Sequence, residues 1–377
     1  MKCTKMFAML LALAMVMTMG SFALAEETIK IGVIGPLTGG AASYGVSVKQ
    51  GAEIAVEEIN ALGGMQIELY AEDDEADGEK GMNAYNTLLD KGVQMFDGCV
   101  TTGSCKVVAT QAYEDRAFML TPSASSLEVI NNKDNVYQVC FTDPAMGAAA
   151  ATYIVEHNMA DSVAVIYNNA DDYSTGTFQA FKEKAEELGL TIACESVFNN
   201  DTTDFSVQVT EAKNSGASLV FMPIYYTPAS MILQTAAAMD WQPTFFGTDG
   251  LDGILNIEGF DISLANDVVL LTPFSASSTD EKVVNFVTKY QEAYGTTPDQ
   301  FAADSYDAIY ALYNASVAAG ITSDMSFDEC CDKLIEAMQA QTLEGVTGTM
   351  TWSATGEVTK DPKAVVIQDG TYVDIAA

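Results

Sequence analysis

The sequence predicts an α/β protein made of two similar lobes, each built on a parallel sheet. Three observations carry that expectation. Strand and helix patterns alternate from the first apolar strand onward, a block of sequence recurs in the second half, and no glycine- or proline-rich linker separates the halves.

The elements follow in order. Lys2 and Lys5 precede an apolar run from Met6 to Met19, and Ala23-Leu24-Ala25 offers a small-residue cleavage site, so residues 1–25 read as a secretory leader. The run is shorter than the roughly 20 residues a membrane span needs, and Glu26 stands where a lipoprotein would carry cysteine. The expectation is a chain exported to a periplasm or secreted. Ile29 to Ile34 then reads as a strand, and "GPLTGGAASYG" as a glycine-shaped turn presenting Tyr44. The next helix places Val48, Ala52, Ala55, Ile59 and Leu62 on one face, and Gly63-Gly64 stops it. Ile67 to Tyr70 is a strand, a helix surrounds Met82 to Leu89, and Val93 to Phe96 is a third strand.

The repeat begins there. "MFDGCVTTGSCKVVATQAYEDRAFMLTPSAS" from Met95 lies over "FMPIYYTPASMILQTAAAMDWQPTFFGTDGL" from Phe221, both reading strand, polar loop, helix, strand, polar loop. The opening unit recurs as well, in "SVAVIYNNADDYSTGTFQAFKEKAEELG", which sets Tyr173 against Tyr44. After Leu271 helical patterns resume, with Val283, Phe286, Val287 and Tyr290 on one face and Ile309, Leu312 and Tyr313 on another. The tail from Gly348 alternates and carries turn pairs, so it reads as strands and a hairpin.

Several chemistries are excluded by spacing. Gly32, Gly35, Gly39, Gly40 and Gly45 fit neither the dinucleotide fingerprint nor the phosphate loop. With 52 acidic against 17 basic residues and a net charge of −35, the chain repels polyanions, so no nucleic-acid partner is expected. "DDEADG" begins like a calcium loop, but Ala84 stands where the bidentate glutamate belongs, leaving a solvated turn and no metal. Cys99, Cys105, Cys140, Cys194, Cys330 and Cys331 match no zinc spacing, and their pairing stays open. His157 is the only histidine, at a helix end where a structural role is common, and no G-x-S-x-G elbow occurs. No enzyme and no cofactor are expected, although a carboxylate pair of a secreted hydrolase is a second reading.

In open α/β sheets ligands sit beyond the carboxyl ends of the strands. That places Thr101–Ser104, Ser123–Ser126, Tyr225–Thr227 and Thr248–Gly250 at the site. Thr102, Ser123 and Ser125 supply hydroxyls in one half, and the helix after Thr101 supplies free N–H groups that suit a carboxylate. Asp249, opposite, suits an ammonium group. Together they describe a site for an α-amino acid.

The segments "IKIGVIGPLTGGAASYGVSVKQGAEIAVEEINALGG", "CVTTGS", "LTPSASS", "FFGTDG", "DSYDAIYAL" and "GTMTWSATGE" resemble, in order and spacing, the branched-chain amino-acid family of ABC-transporter substrate-binding proteins. The resemblance implies a type I periplasmic-binding fold, two Rossmann-like α/β lobes joined by a three-crossing hinge. It implies lobe one at 26–142 and 273–350, lobe two at 143–272 and 351–377, and crossings near Thr142, Thr272 and Thr351. It implies a monomer that closes over a small aliphatic or branched-chain amino acid and delivers it to a membrane permease. A ligand without an α-amino group, such as an aromatic acid or short amide, is the alternative. On this resemblance Thr102 holds the ligand carboxylate, Ser123 and Ser125 flank the α-groups, and Asp249 replaces a family glutamate that pairs with the ammonium. Tyr44, Tyr173, Tyr225 and Phe301 match aromatic cleft positions. The family's disulfide would need cysteines at Ala76 and Thr101, so it is absent.

Overall fold

The computed structural model describes residues 27–360 and 362–375; the leader lies outside them. The first sheet holds β1 (Thr28–Gly35), β2 (Gln66–Asp73), β3 (Met95–Gly98), β4 (Phe118–Thr121) and β5 (Val136–Gln138), all parallel in the order β2-β1-β3-β4-β5. The second holds β6 (Ser162–Asn168), β7 (Thr191–Phe198), β8 (Leu219–Met222), β9 (Thr244–Gly247) and β10 (Val269–Thr272), parallel in the order β7-β6-β8-β9-β10. The two orders are the same, so the repeat seen in the sequence is a repeat of topology. A short sheet of β11 (Leu343–Glu344) and β12 (Thr349–Met350) follows. The hairpin of β13 (Lys363–Gln368) and β14 (Thr371–Asp374) then adds antiparallel to β10.

Eleven helices of the described residues cover the sheets: α1 (Ala42–Leu62), α2 (Gly78–Asp90), α3 (Thr102–Glu114), α4 (Leu127–Ile130), α5 (Asp143–Glu156), α6 (Asp172–Leu188), α7 (Ser206–Asn214), α8 (Tyr226–Ala238), α9 (Glu281–Tyr294), α10 (Gln300–Ala319) and α11 (Phe327–Ala340). Central strands such as β3, β4 and β8 are buried at every residue, because helices lie on both faces. Helices α1 and α10 cross with backbones nearly touching. A Cβ at Gly51 would fall 2.0 Å from the Ala302 carbonyl oxygen, so only glycine permits the approach.

The third strand starts at Met95 and not at Val93. The Val93 N–H is taken by Leu88 O at 3.1 Å, which closes the end of α2 instead of joining the sheet. The acidic run forms a turn: Asp73 accepts from Leu37 N and Glu75 N at 2.8 and 2.9 Å, and Asp77 caps α2 through Glu79 N and Lys80 N. His157 ends α5 with its ring stacked on Tyr153. The six cysteines of the described residues are unpaired. Part of the tail turns back on the first sheet, where Gln138 N bonds Gly356 O at 3.0 Å and Trp352 Nε1 bonds Gln138 O at 2.8 Å.

Candidate functional site

In the first sheet the strand order reverses between β1 and β3, and in the second between β6 and β8. The loops leaving those carboxyl ends face one another, as open parallel sheets require of a ligand crevice. Between them lies a small chamber. It leaves about 10 Å³ to the centre of a water molecule, room for roughly one water. All eight residues singled out from the sequence line it, together with Val100, Thr101 and Gly250.

The side belonging to the first sheet is built at the start of α3. Thr101 is the residue before the helix, yet its side chain caps no backbone N–H. The first intrahelical bond is Cys105 N to Thr101 O at 2.9 Å, so the N–H groups of Thr102, Gly103 and Ser104 precede the ladder. The hydroxyls of Thr101 and Thr102 are buried and meet no partner among the described residues. A buried polar atom left unpaired costs about 1–3 kcal/mol, so the two threonines mark a place built for something else to occupy. The Ser123 hydroxyl is spent on the Val100 carbonyl at 2.7 Å, and Thr121 Oγ1 holds that loop by accepting from Ala124 N at 2.9 Å. Behind Ser125 stands Asp143, whose N–H bonds the Ser125 carbonyl at 2.9 Å. Burial pushes the Asp143 carboxyl well above the usual carboxylate range, and a Ser125 hydrogen bond partly offsets this.

The opposite side is built after β9. Asp249 Oδ1 accepts from the Tyr173 hydroxyl at 2.8 Å and from Gly250 N at 2.9 Å. Burial pushes its pKa up to about 7, with those bonds acting in the other direction. Tyr173 also meets Thr248 Oγ1 at 2.7 Å, and its ring stacks on Tyr225 at 5.1 Å. Tyr44 reaches across from α1: its hydroxyl donates to Gly250 O at 2.5 Å and accepts from Tyr226 N at 3.2 Å. Phe301 lies against the Tyr44 ring at 4.2 Å. Tyr44 is therefore a clasp between the two halves as well as a wall.

Sequence reasoning missed the other clasps. The Tyr226 hydroxyl accepts from Ser43 N at 3.0 Å, and Thr227 Oγ1 donates to Gly40 O at 2.7 Å. Gln300 Nε2 donates to Asp249 O at 2.8 Å, and Asp252 Oδ2 accepts from Gln300 N at 2.9 Å. Only the repeat offered a signal for them, since Tyr226 and Thr227 lie within one loop it marked and Asp252 lies just beyond another. A larger surface groove of about 590 Å³ adjoins Glu58 and Tyr306. There Glu58 already accepts from Tyr306 and Tyr310 at 2.6 and 2.7 Å, so its acid is satisfied within the protein.

This site and fold can now be set beside known proteins. A profile described as periplasmic binding protein matches residues 28–371. The chain belongs to the periplasmic binding protein family. This periplasmic binding protein is 29% identical over 356 residues to Leu/Ile/Val-binding protein homolog 3 of Brucella melitensis, which covers 93% of this chain and 94% of that one. It is 27% identical over 365 residues to the leucine-, isoleucine-, valine-, threonine- and alanine-binding protein of Pseudomonas aeruginosa, covering 95% and 94%. Among solved structures, the leucine-binding protein LivK of Thermotoga maritima superposes with a TM-score of 0.83 at 27% identity, covering 92% and 98%. LivJ of Streptococcus pneumoniae, in complex with isoleucine, gives 0.83 at 26% identity, covering 93% and 100%. A benzoate-bound solute-binding protein of R. palustris, at 19% identity and a TM-score of 0.83, shares the fold. The architecture is that of a type I periplasmic binding protein.

Proposed function

We propose that this protein is the extracytoplasmic solute-binding component of an ABC importer, and that it holds a small neutral amino acid of the aliphatic, branched-chain class between its lobes. The observation that carries the reading is the pairing across the chamber. On one side the unpartnered hydroxyl of Thr102 and the free N–H groups of α3 await an anion. On the other, Asp249 is buried, its Oδ1 is held by Tyr173 and Gly250, and it awaits a cation. A zwitterion satisfies both, and the aromatic rings of Tyr44, Tyr225 and Phe301 enclose its carbon side chain. Four or five such bonds at roughly 1–3 kcal/mol each suffice for an affinity near micromolar, about −8 kcal/mol.

The ligand enters while the lobes are apart and they close over it. The chamber, with room for roughly one water, has to widen to hold an amino acid, so the ligand-bound halves sit further apart than the clasps at Tyr44 and Tyr226 hold them here. The closed form then docks on a membrane permease as a monomer. Export by the residue 1–25 leader belongs to the same reading, and catalysis does not. Lobe divisions near Thr142 and Thr272 also belong to it, with the third crossing moved toward Lys360. Support for that shift is the bonding of Trp352 and Gly356 to β5 of the first sheet.

Calorimetric titration with leucine, isoleucine, valine and their 2-oxo and 2-hydroxy analogues tests the proposal. Binding of the amino acids with loss of at least tenfold for the deaminated forms is expected. Equal binding of the analogues would remove Asp249 from its role, and binding of benzoates alone would replace the ligand class.

A further inference from the structure

We infer that Thr101 is a specificity-determining residue, whose hydroxyl favours a ligand with a β-hydroxyl, L-threonine, over its apolar isostere L-valine. The inference rests on the amino-acid reading of the site and adds a preference within the β-branched ligands.

The chamber lining and an unused, buried hydroxyl converge on Thr101. It lines the chamber beside Val100 and Thr102, while nearby Cys105 is buried outside the lining. Its Oγ1 is buried and has no hydrogen-bond partner among the described residues. It also occupies the N-cap of α3 with extended backbone angles, φ −94° and ψ 144°, the position at which threonine ordinarily caps the helix with its hydroxyl, and it makes no such bond. The fold thus places a hydroxyl where a helix could use it, leaves it unused, and seals it from water.

Thr102 Oγ1 and the N–H groups of α3 are sufficient for a ligand carboxylate, and Asp249 is sufficient for the ammonium. Neither α-group then requires Thr101. What remains is the ligand side chain, and of the two β-branched isosteres only threonine offers a donor and an acceptor at Cβ. A buried hydroxyl facing valine stays unpaired in the complex, whereas facing threonine it is satisfied. Sites that hydrogen-bond a ligand hydroxyl discriminate against the ligand lacking it far better than apolar pockets discriminate by size. Since Thr101 caps nothing through its side chain, Thr101→Val removes the hydroxyl without removing a helix cap.

The test is isothermal titration of L-threonine and L-valine against the wild-type protein, Thr101→Val and Thr101→Ser. The wild type should bind threonine at least tenfold more tightly than valine. Thr101→Val should lose that preference or reverse it, and Thr101→Ser should keep it. Wild-type binding of valine equal to or tighter than threonine overturns the inference, and this arm needs no variant to fold. An equal loss of both ligands in Thr101→Val also overturns it, because the hydroxyl then serves the common carboxylate. If neither amino acid binds the wild type, the amino-acid reading itself fails and takes the inference with it.

Discussion

Asp249 sits where burial makes its charge most costly. A water-facing aspartate titrates near 4, and burial raises Asp249 to about 7, with Asp304 and Asp252 adding repulsion. An acid whose pKa is higher in the closed form stabilises closure below its open-form value, and that contribution is lost as pH rises through about 7. The ligand-free closed population should therefore grow as pH falls from 8 to 5, read as a smaller radius of gyration in solution scattering. Asp249→Asn should flatten part of the dependence, while buried Asp143, Asp252 and Asp299 maintain the rest, their carboxyls being raised in the same direction. A bound ammonium keeps Asp249 ionised, so closure with ligand should vary little over this range. Thr102→Val and Asp249→Asn should each weaken amino-acid binding about tenfold to a hundredfold, with a melting temperature no lower than that of the wild type. Calorimetry and thermal unfolding of the same samples check both halves of that statement. The identities of these residues were legible because each sits in a loop whose place the repeat defines. The spare hydroxyl of Thr101 was not, since only its surroundings show that the helix declines it.

The N-terminus of α10 shows how elements communicate across the cleft. Asp299 caps it from within, accepting from Ala302 N at 3.1 Å, and Asp252 caps it from the other side of the chamber through Gln300 N at 2.9 Å. On the proposed two-lobe reading the second bond breaks when the halves part. Asp252→Asn should accordingly weaken ligand binding several-fold without touching the ligand, and leave the melting temperature of the ligand-free protein nearly unchanged. Asp299→Ala, in contrast, should lower stability by about 1 kcal/mol, the ordinary worth of a helix cap, measured by chemical denaturation. Strand and helix order could be read from periodicity, because each element repeats its own pattern. The trans cap could not, because Asp252 and Gln300 are distant in sequence and no local pattern links them. The late start of β3 escaped for a related reason: Val93 is apolar enough for a strand, yet the end of α2 competes for its N–H.

At the scale of the whole molecule, two sheets of identical strand order are tied together by buried polar contacts. Lys360 Nζ meets Asp304 Oδ1 at 2.7 Å with both side chains almost wholly buried, at 1% and 2% exposure. Lys360→Met leaves an uncompensated aspartate and should cost about 3–5 kcal/mol, measured as the shift of the denaturation midpoint at constant slope. The duplicated architecture was plain from the sequence, whereas the return of Trp352 and Gly356 to the first sheet rests on bonds to Gln138, which is distant in sequence and linked by no local pattern. The same duplication gives the uncapped start of α3 its larger meaning. Helix α10 takes a cap from across the chamber, at Asp252, and α3 has none of its own, so on the proposed reading the cargo serves as a portable piece of secondary structure that finishes the protein. Once the lobes part, water does so at once, and the atoms that gripped the cargo become the means of letting it go.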